Sequence, residues 1–100
     1  MELVDALGVF YKLAREDSAI GPSHLAIYGA LLFIFSEQKQ LPIYISRKVV
    51  MELAHIRGIA TYQKCVSELH THSYIIYTPS FDPRGKSRVY LKLATESKIY

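Results

Sequence analysis

The stretch Ser46–His70, SRKVVMELAHIRGIATYQKCVSELH, decides which fold this chain is expected to take. Val49, Val50, Leu53 and Ala54 recur at helical spacing and predict one apolar stripe. Ser46 stands where an N-cap hydroxyl would accept an otherwise unpaired backbone N–H. The stripe ends at Ile56, and Arg57-Gly58 supplies a turn, with Gly58 able to take conformations closed to other residues. A second helix is expected over about 59–71. Its apolar residues Tyr62, Cys65, Val66 and Leu69 sit at i, i+3, i+4 and i+7. Its other face carries Ala60, Thr61, Gln63, Lys64, Ser67 and Glu68. Two helices crossing over a short glycine-containing turn make a helix-turn-helix, whose second helix suits a DNA major groove. Thr61, Gln63, Lys64 and Ser67 are the candidate base-reading residues, since Gln pairs well with adenine and Lys with guanine. The plainer alternative is an amphipathic helix with a solvated face.

Outward from that unit, the chain alternates helix and strand signals. Upstream, Glu2 to about Asp17 predicts a helix with the stripe Leu3, Leu7, Phe10, Leu13 and Ala14, widened by Val4 and Tyr11. Gly8 inside it costs up to about 1 kcal/mol relative to Ala. A second helix is expected from Pro22 or Ser23, apolar nearly all round through Leu25–Phe35 and therefore central. Leu41–Ile45 reads as a brief edge strand with Pro42 at its start. Downstream, Tyr74–Thr78 reads as a strand, PSFDPRGK (79–86) as a loop, and Ser87–Leu93 as a strictly alternating, half-buried antiparallel strand.

From Pro22 onward, this is the order of a winged helix-turn-helix. The expected fold is α+β: a helical bundle with a small antiparallel sheet, an N-terminal helix (1–20) and a core over 22–93. All 100 residues are expected to form one domain. Residues 79–88 would form the wing, where Arg84, Lys86 and Arg88 surround Gly85 and suit phosphate contact or minor-groove insertion. Arg47, Lys48 and Arg57, at the first-turn and turn positions, are candidate phosphate clamps of the same kind.

Charge agrees with this assignment. The formal net charge is +3, but it is divided unevenly. Up to Ile45 three basic residues stand against five acidic ones; from Ser46 onward nine stand against four. The half with the helix-turn-helix thus holds the whole basic surplus, as a phosphate-binding surface requires. The single cysteine, Cys65, rules out an internal disulfide and suits a reducing cytoplasm. Glu2 and Asp5 stand where a secretory signal would be basic, and the apolar run Leu25–Phe35 is too short for a membrane span.

Residue patterns that could suggest a metal site or an enzyme have plainer structural explanations here. His70-Thr71-His72 with Cys65 matches no zinc spacing; Cys65 lies on the apolar stripe, and the histidines fall at a helix C-terminus where positive charge is favourable. His-x-His near a tyrosine also occurs in relaxase and replication-initiator nucleases. There the histidines sit on a strand around an apolar residue, whereas here Thr71 intervenes at a helix end. No nucleophile elbow, phosphate loop or carboxylate pair is present. The expectation is a binding protein with no catalytic residue, metal or cofactor.

Ser46-Arg47, Thr61–Cys65, Glu68–His70 and Tyr74–Ser80 followed by Gly85–Val89 resemble a family of small bacterial winged-helix transcriptional regulators, often carried on mobile elements. The resemblance spans about residues 22–92 and implies DNA binding without adding a catalytic position. Gly58-Ile59-Ala60 departs from the polar N-cap and first turn expected there, leaving fewer groups to read base edges. Replication or excision accessory factors would make the same contacts, and winged helices also serve as protein-binding modules. The apolar face of the first helix further suggests a symmetric dimer that would set two recognition helices about one DNA turn apart.

Overall fold

The computed structural model describes residues 3–80 and 85–91, with side chains from Asp5 onward. The expectations for Glu2, Asp82, Arg84, Lys92 and Leu93, and for the side chains of Leu3 and Val4, therefore lie outside the described residues. The elements run α1 (Leu3–Arg15), α2 (Pro22–Gln38), β1 (Ile43–Ile45), α3 (Arg47–Ala54), α4 (Ile59–Thr71), β2 (Ile75–Thr78) and β3 (Ser87–Leu91). The strands form one antiparallel sheet in the order β1-β3-β2, with Ile43 opposite Val89 and Tyr77 opposite the same residue from the other side. This is an α+β arrangement compatible with a winged helix. Among the described residues, no helix is long and apolar enough to cross a membrane.

α2 is the hub, touching α1, α3, α4 and β1. Its all-round apolarity is used: Ile27, Tyr28, Leu31 and Leu32 are buried, whereas Phe33 stays exposed. The sheet contributes Ile43, Ile45, Ile75, Val89 and Leu91 to the same core. Their outward neighbours Tyr44, Ile76, Arg88 and Tyr90 stay exposed, as the period of two requires.

Two helical faces differ from expectation. α1 buries Ala6 and Phe10, with Ala14 partly covered, while Leu7, Tyr11 and Leu13 are exposed, Leu13 at 57%. The reason lies in aromatic packing. Phe10 stacks on Tyr28 with ring centroids 3.9 Å apart and meets Tyr74 edge-on at 5.1 Å. That contact turns the Ala6–Phe10–Ala14 line inward and carries the longer aliphatic line outward. In α3, Val50 and Ala54 are buried, but Val49 and Leu53 are exposed. An eight-residue helix packed along α2 needs only its i, i+4 line.

The turn between α3 and α4 also differs. Gly58 is the N-cap of α4 with an ordinary extended backbone (φ −89°). The left-handed residue is His55, at φ 58°, which closes α3 through its N–H to the Met51 and Glu52 carbonyls. The expected result of His55→Gly is therefore a gain of about 0.5–1 kcal/mol, read by urea denaturation. A loss would show that the histidine side chain does more than tolerate the turn.

Both sheet edges are met by a side chain from the preceding helix. The Gln38 amide donates to the Tyr44 carbonyl at 2.8 Å and accepts from the Tyr44 N–H at 2.9 Å. On the other edge, His70 Nδ1 accepts the Tyr77 N–H at 3.1 Å. Each satisfies outward-facing backbone groups that would otherwise offer a pairing template.

Candidate nucleic-acid interface

Ser46 caps α3 as its sequence position implies: its hydroxyl accepts the Val49 N–H at 3.3 Å. The cap starts the helix directly before Arg47 and Lys48, so both side chains stand exposed on its first turn, at the positive end of its dipole. α4 buries Tyr62, Cys65, Val66 and Leu69, the four residues its spacing picked out, and holds Thr61, Gln63, Lys64 and Ser67 in solvent. The β2–β3 hairpin rises beside it.

These three elements enclose a cleft of about 400 Å³, lined by Ser46, Arg47, Lys48, Tyr62, Gln63 and Tyr77 together with residues of the hairpin. No described residue of its lining is acidic. Arg47 and Lys48 also border a neighbouring recess of about 720 Å³ that contains Arg57. Five of the ten sequence candidates thus fall around one region or beside it: Arg47, Lys48 and Gln63 in the cleft, Arg57 next to it, and Ser67 with Gln63 in a hollow against His70 and Tyr77. Thr61 and Lys64 lie on the open face of α4. Lys86 lines a separate shallow recess with Glu37 and Tyr44. Arg88 stands on the outward face of the sheet between Tyr44 and Thr78 rather than at the hairpin tip. Arg84 lies outside the described residues.

Spacing alone missed Tyr62 and Tyr77 as lining groups. Tyr62 shows as a core residue in an apolar heptad, and nothing in that pattern reveals that it also borders the cleft. Burial chiefly pushes its ionisation up to about 12; Tyr77 adds to this and the Arg47 guanidinium opposes it. The hairpin wall is stitched by the Tyr77 hydroxyl and Ser87 Oγ, 3.3 Å apart, and by the Ser80 N–H donating to Ser87 Oγ at 3.4 Å.

The metal question moves from His70 and His72 to His24. His24, Cys65 and Glu68 bring their donor atoms within 4.8 Å of one another. The Gly21 N–H donates to His24 Nδ1 at 3.0 Å, and His24 Nε2 lies 2.7 Å from Glu68 Oε1. A backbone N–H can only donate, so Nδ1 holds the lone pair and Nε2 carries the proton that Glu68 accepts. Coordination through Nε2 would need the reverse tautomer and would set two N–H groups against each other. Burial pushes the Cys65 thiol up as well, away from the thiolate a metal takes, with Glu68 adding to the effect and Lys64 opposing it. The trio instead pins the start of α2 to α4. His70 and His72 are engaged elsewhere, His70 at the sheet edge and His72 with Asp17.

Asp17 ties the α1–α2 turn to the segment after α4. Its carboxylate accepts from the Ala19 N–H (3.0 Å), the Tyr74 hydroxyl (3.0 Å) and His72 Nδ1 (3.1 Å). The Ala19 bond leads in holding its carboxyl below the usual aspartate value of 3.8, aided by Tyr74 and His72 against partial desolvation. Its stabilising effect is complete above 3.8 and is lost as pH falls through the lower folded value. The expected result is a Tm difference between wild type and Asp17→Asn that is constant at neutral pH and shrinks below pH 3.8. A difference that persists at pH 2 would assign the effect to something other than the carboxylate's charge.

No family model, curated protein or solved structure matches this chain.

Proposed function

We propose that this chain is a winged helix-turn-helix protein that binds double-stranded DNA in the cytoplasm, as a transcriptional regulator. α4 lies in the major groove and presents Thr61, Gln63, Lys64 and Ser67 to base edges. Arg47, Lys48 and Arg57 hold backbone phosphates beside it. The wing, residues 79–88, meets the backbone or minor groove, with Arg84 and Lys86 assigned there on sequence grounds. The carrying observation is the shared cleft of Arg47, Lys48 and Gln63, which has no carboxylate among its described lining residues. The likeness of its motifs to small bacterial winged-helix regulators supports the same reading. A replication or excision accessory factor of a mobile element would use the same contacts.

The exposed Leu7, Tyr11 and Leu13 of α1 favour pairing of two copies through their N-terminal helices. Sedimentation at micromolar concentration is expected to give twice the chain mass, and monomer mass would remove this part of the proposal. DNA binding itself is tested with random-sequence duplex over a salt series. Affinity is expected to fall steeply as salt rises. An absence of binding at low salt would overturn it in favour of a protein partner.

A further inference from the structure

The outward face of the sheet holds side chains that duplex binding by α3 and α4 does not use. Alternation along the strands sends one set into the core and leaves Tyr44, Ile76, Thr78, Arg88 and Tyr90 on the other side, all exposed. Such outward positions are ordinarily polar, and here two rings and an isoleucine occupy them. The register arranges them in two rows. Tyr44, Arg88 and Thr78 lie opposite one another across the three strands, and Tyr90 lies opposite Ile76. Tyr44 and Tyr90 are therefore diagonal neighbours on adjacent strands, their backbones about 7–8 Å apart, with Arg88 beside both. Among the described residues, neither ring meets another ring or a cation, and the Arg88 guanidinium has no ion-pair partner. No described residue of the face is acidic; Glu37 lies at its β1 rim, in a recess that also holds Lys86.

We infer that this face binds single-stranded nucleic acid, with unpaired bases laid on the Tyr44 and Tyr90 rings and a backbone phosphate on Arg88. A tyrosine ring stacks on any base, and a guanidinium between two rings meets the phosphate that links the bases. The spacing decides for an open strand. At about 7–8 Å it is twice the ~3.4 Å rise of a stacked strand, so the two bases must have parted, which a duplex forbids. Charge decides against a second copy of the chain. Two such faces pressed together would bring Arg88 towards its own counterpart, with no carboxylate among the described residues of either face to receive it. A polyanion with flat, apolar bases satisfies both the rings and the cation. This site is separate from the surface proposed for duplex DNA and does not depend on that reading.

The probe is a short labelled oligodeoxyuridylate, followed by fluorescence anisotropy over a salt series with the full chain. An oligouridylate of equal length differs only in its 2′-hydroxyls, so a preference between the two names the strand as DNA or RNA. Tyr44→Leu and Tyr90→Leu keep apolar bulk and remove the flat ring, whereas the corresponding Phe variants keep the ring. All replace exposed side chains, so the fold should hold. Each Leu variant is expected to weaken single-strand binding roughly tenfold, and the two together about a hundredfold. The Phe variants should retain wild-type affinity, as should Ile76→Ala, which removes apolar surface without a stacking face. Arg88→Ala should reduce the slope of log K against log salt by about 0.7. Random-sequence duplex should bind the double Leu variant as it binds wild type. Single-strand affinity that survives the double Leu change overturns the assignment. So does an absence of single-strand binding at low salt, which would leave the face to a protein partner. Single-strand binding that needs both rings, in a chain without duplex affinity, upholds this site and removes the duplex reading.

Discussion

Phe10→Ala is expected to lower the unfolding free energy by about 3–5 kcal/mol, the largest stability effect of any single change considered for this chain. Phe10 is 2% exposed, and its ring meets two aromatic residues from different parts of the fold, Tyr28 of α2 and Tyr74 before β2. Truncation removes a full aromatic burial and the stacking that goes with it. The cavity it leaves is walled by α2, whose Tyr28 is fully buried and has little room to collapse. Leu13→Ala, three residues on, is expected to cost under about 0.5 kcal/mol, because that side chain already stands in solvent. Urea denaturation of the two variants reads both values. Equal costs would restore the Leu3–Leu7–Phe10–Leu13 stripe that the spacing suggested and would contradict the observed face.

The second large effect concerns binding. Combining Arg47→Ala, Lys48→Ala and Arg57→Ala is expected to reduce the slope of log K against log salt by about 2.7, one phosphate per lost cation. Between 50 and 200 mM salt a slope change of that size alters the affinity ratio about forty-fold. All three side chains are exposed, so the fold should lose little. Lys64→Ala is the useful contrast. It removes one cation from the open face of α4, away from the cleft, and should relax preference at a base position more than it weakens random-sequence binding. A triple variant that keeps the full slope would place the phosphate contacts elsewhere, with the hairpin cations Lys86 and Arg88 the next to be replaced.

The element order was legible because each segment carries its own period and its own punctuation. Pro22 opens α2, Ser46 caps α3, and the four buried residues of α4 repeat without a break. The faces were less legible where a helix is apolar on more than one side. In α1 the choice between the Leu7–Leu13 side and the Ala6–Phe10 side depends on Tyr28 and Tyr74, residues 18 and 64 positions away, which no local window contains. The turn misled for a related reason: glycine is permitted to be left-handed, but the position after α3 that requires it is His55. For the candidate site, spacing found the cations and the exposed face of α4. It could not find Tyr62, since an amphipathic pattern registers a tyrosine by its ring and is silent on its hydroxyl, nor the pairing of His24 with Glu68 across 44 residues.

His70 has a mechanical consequence beyond tidying a strand edge. It belongs to α4, and its acceptor bond is to the backbone of β2, the strand that leads into the hairpin. Lifting or rolling the helix would strip the Tyr77 N–H of its partner, and shifting the strand would do the same from the other side. Helix and strand are therefore linked at this point: the backbone of β2 resists a displacement of α4, and α4 resists a displacement of β2.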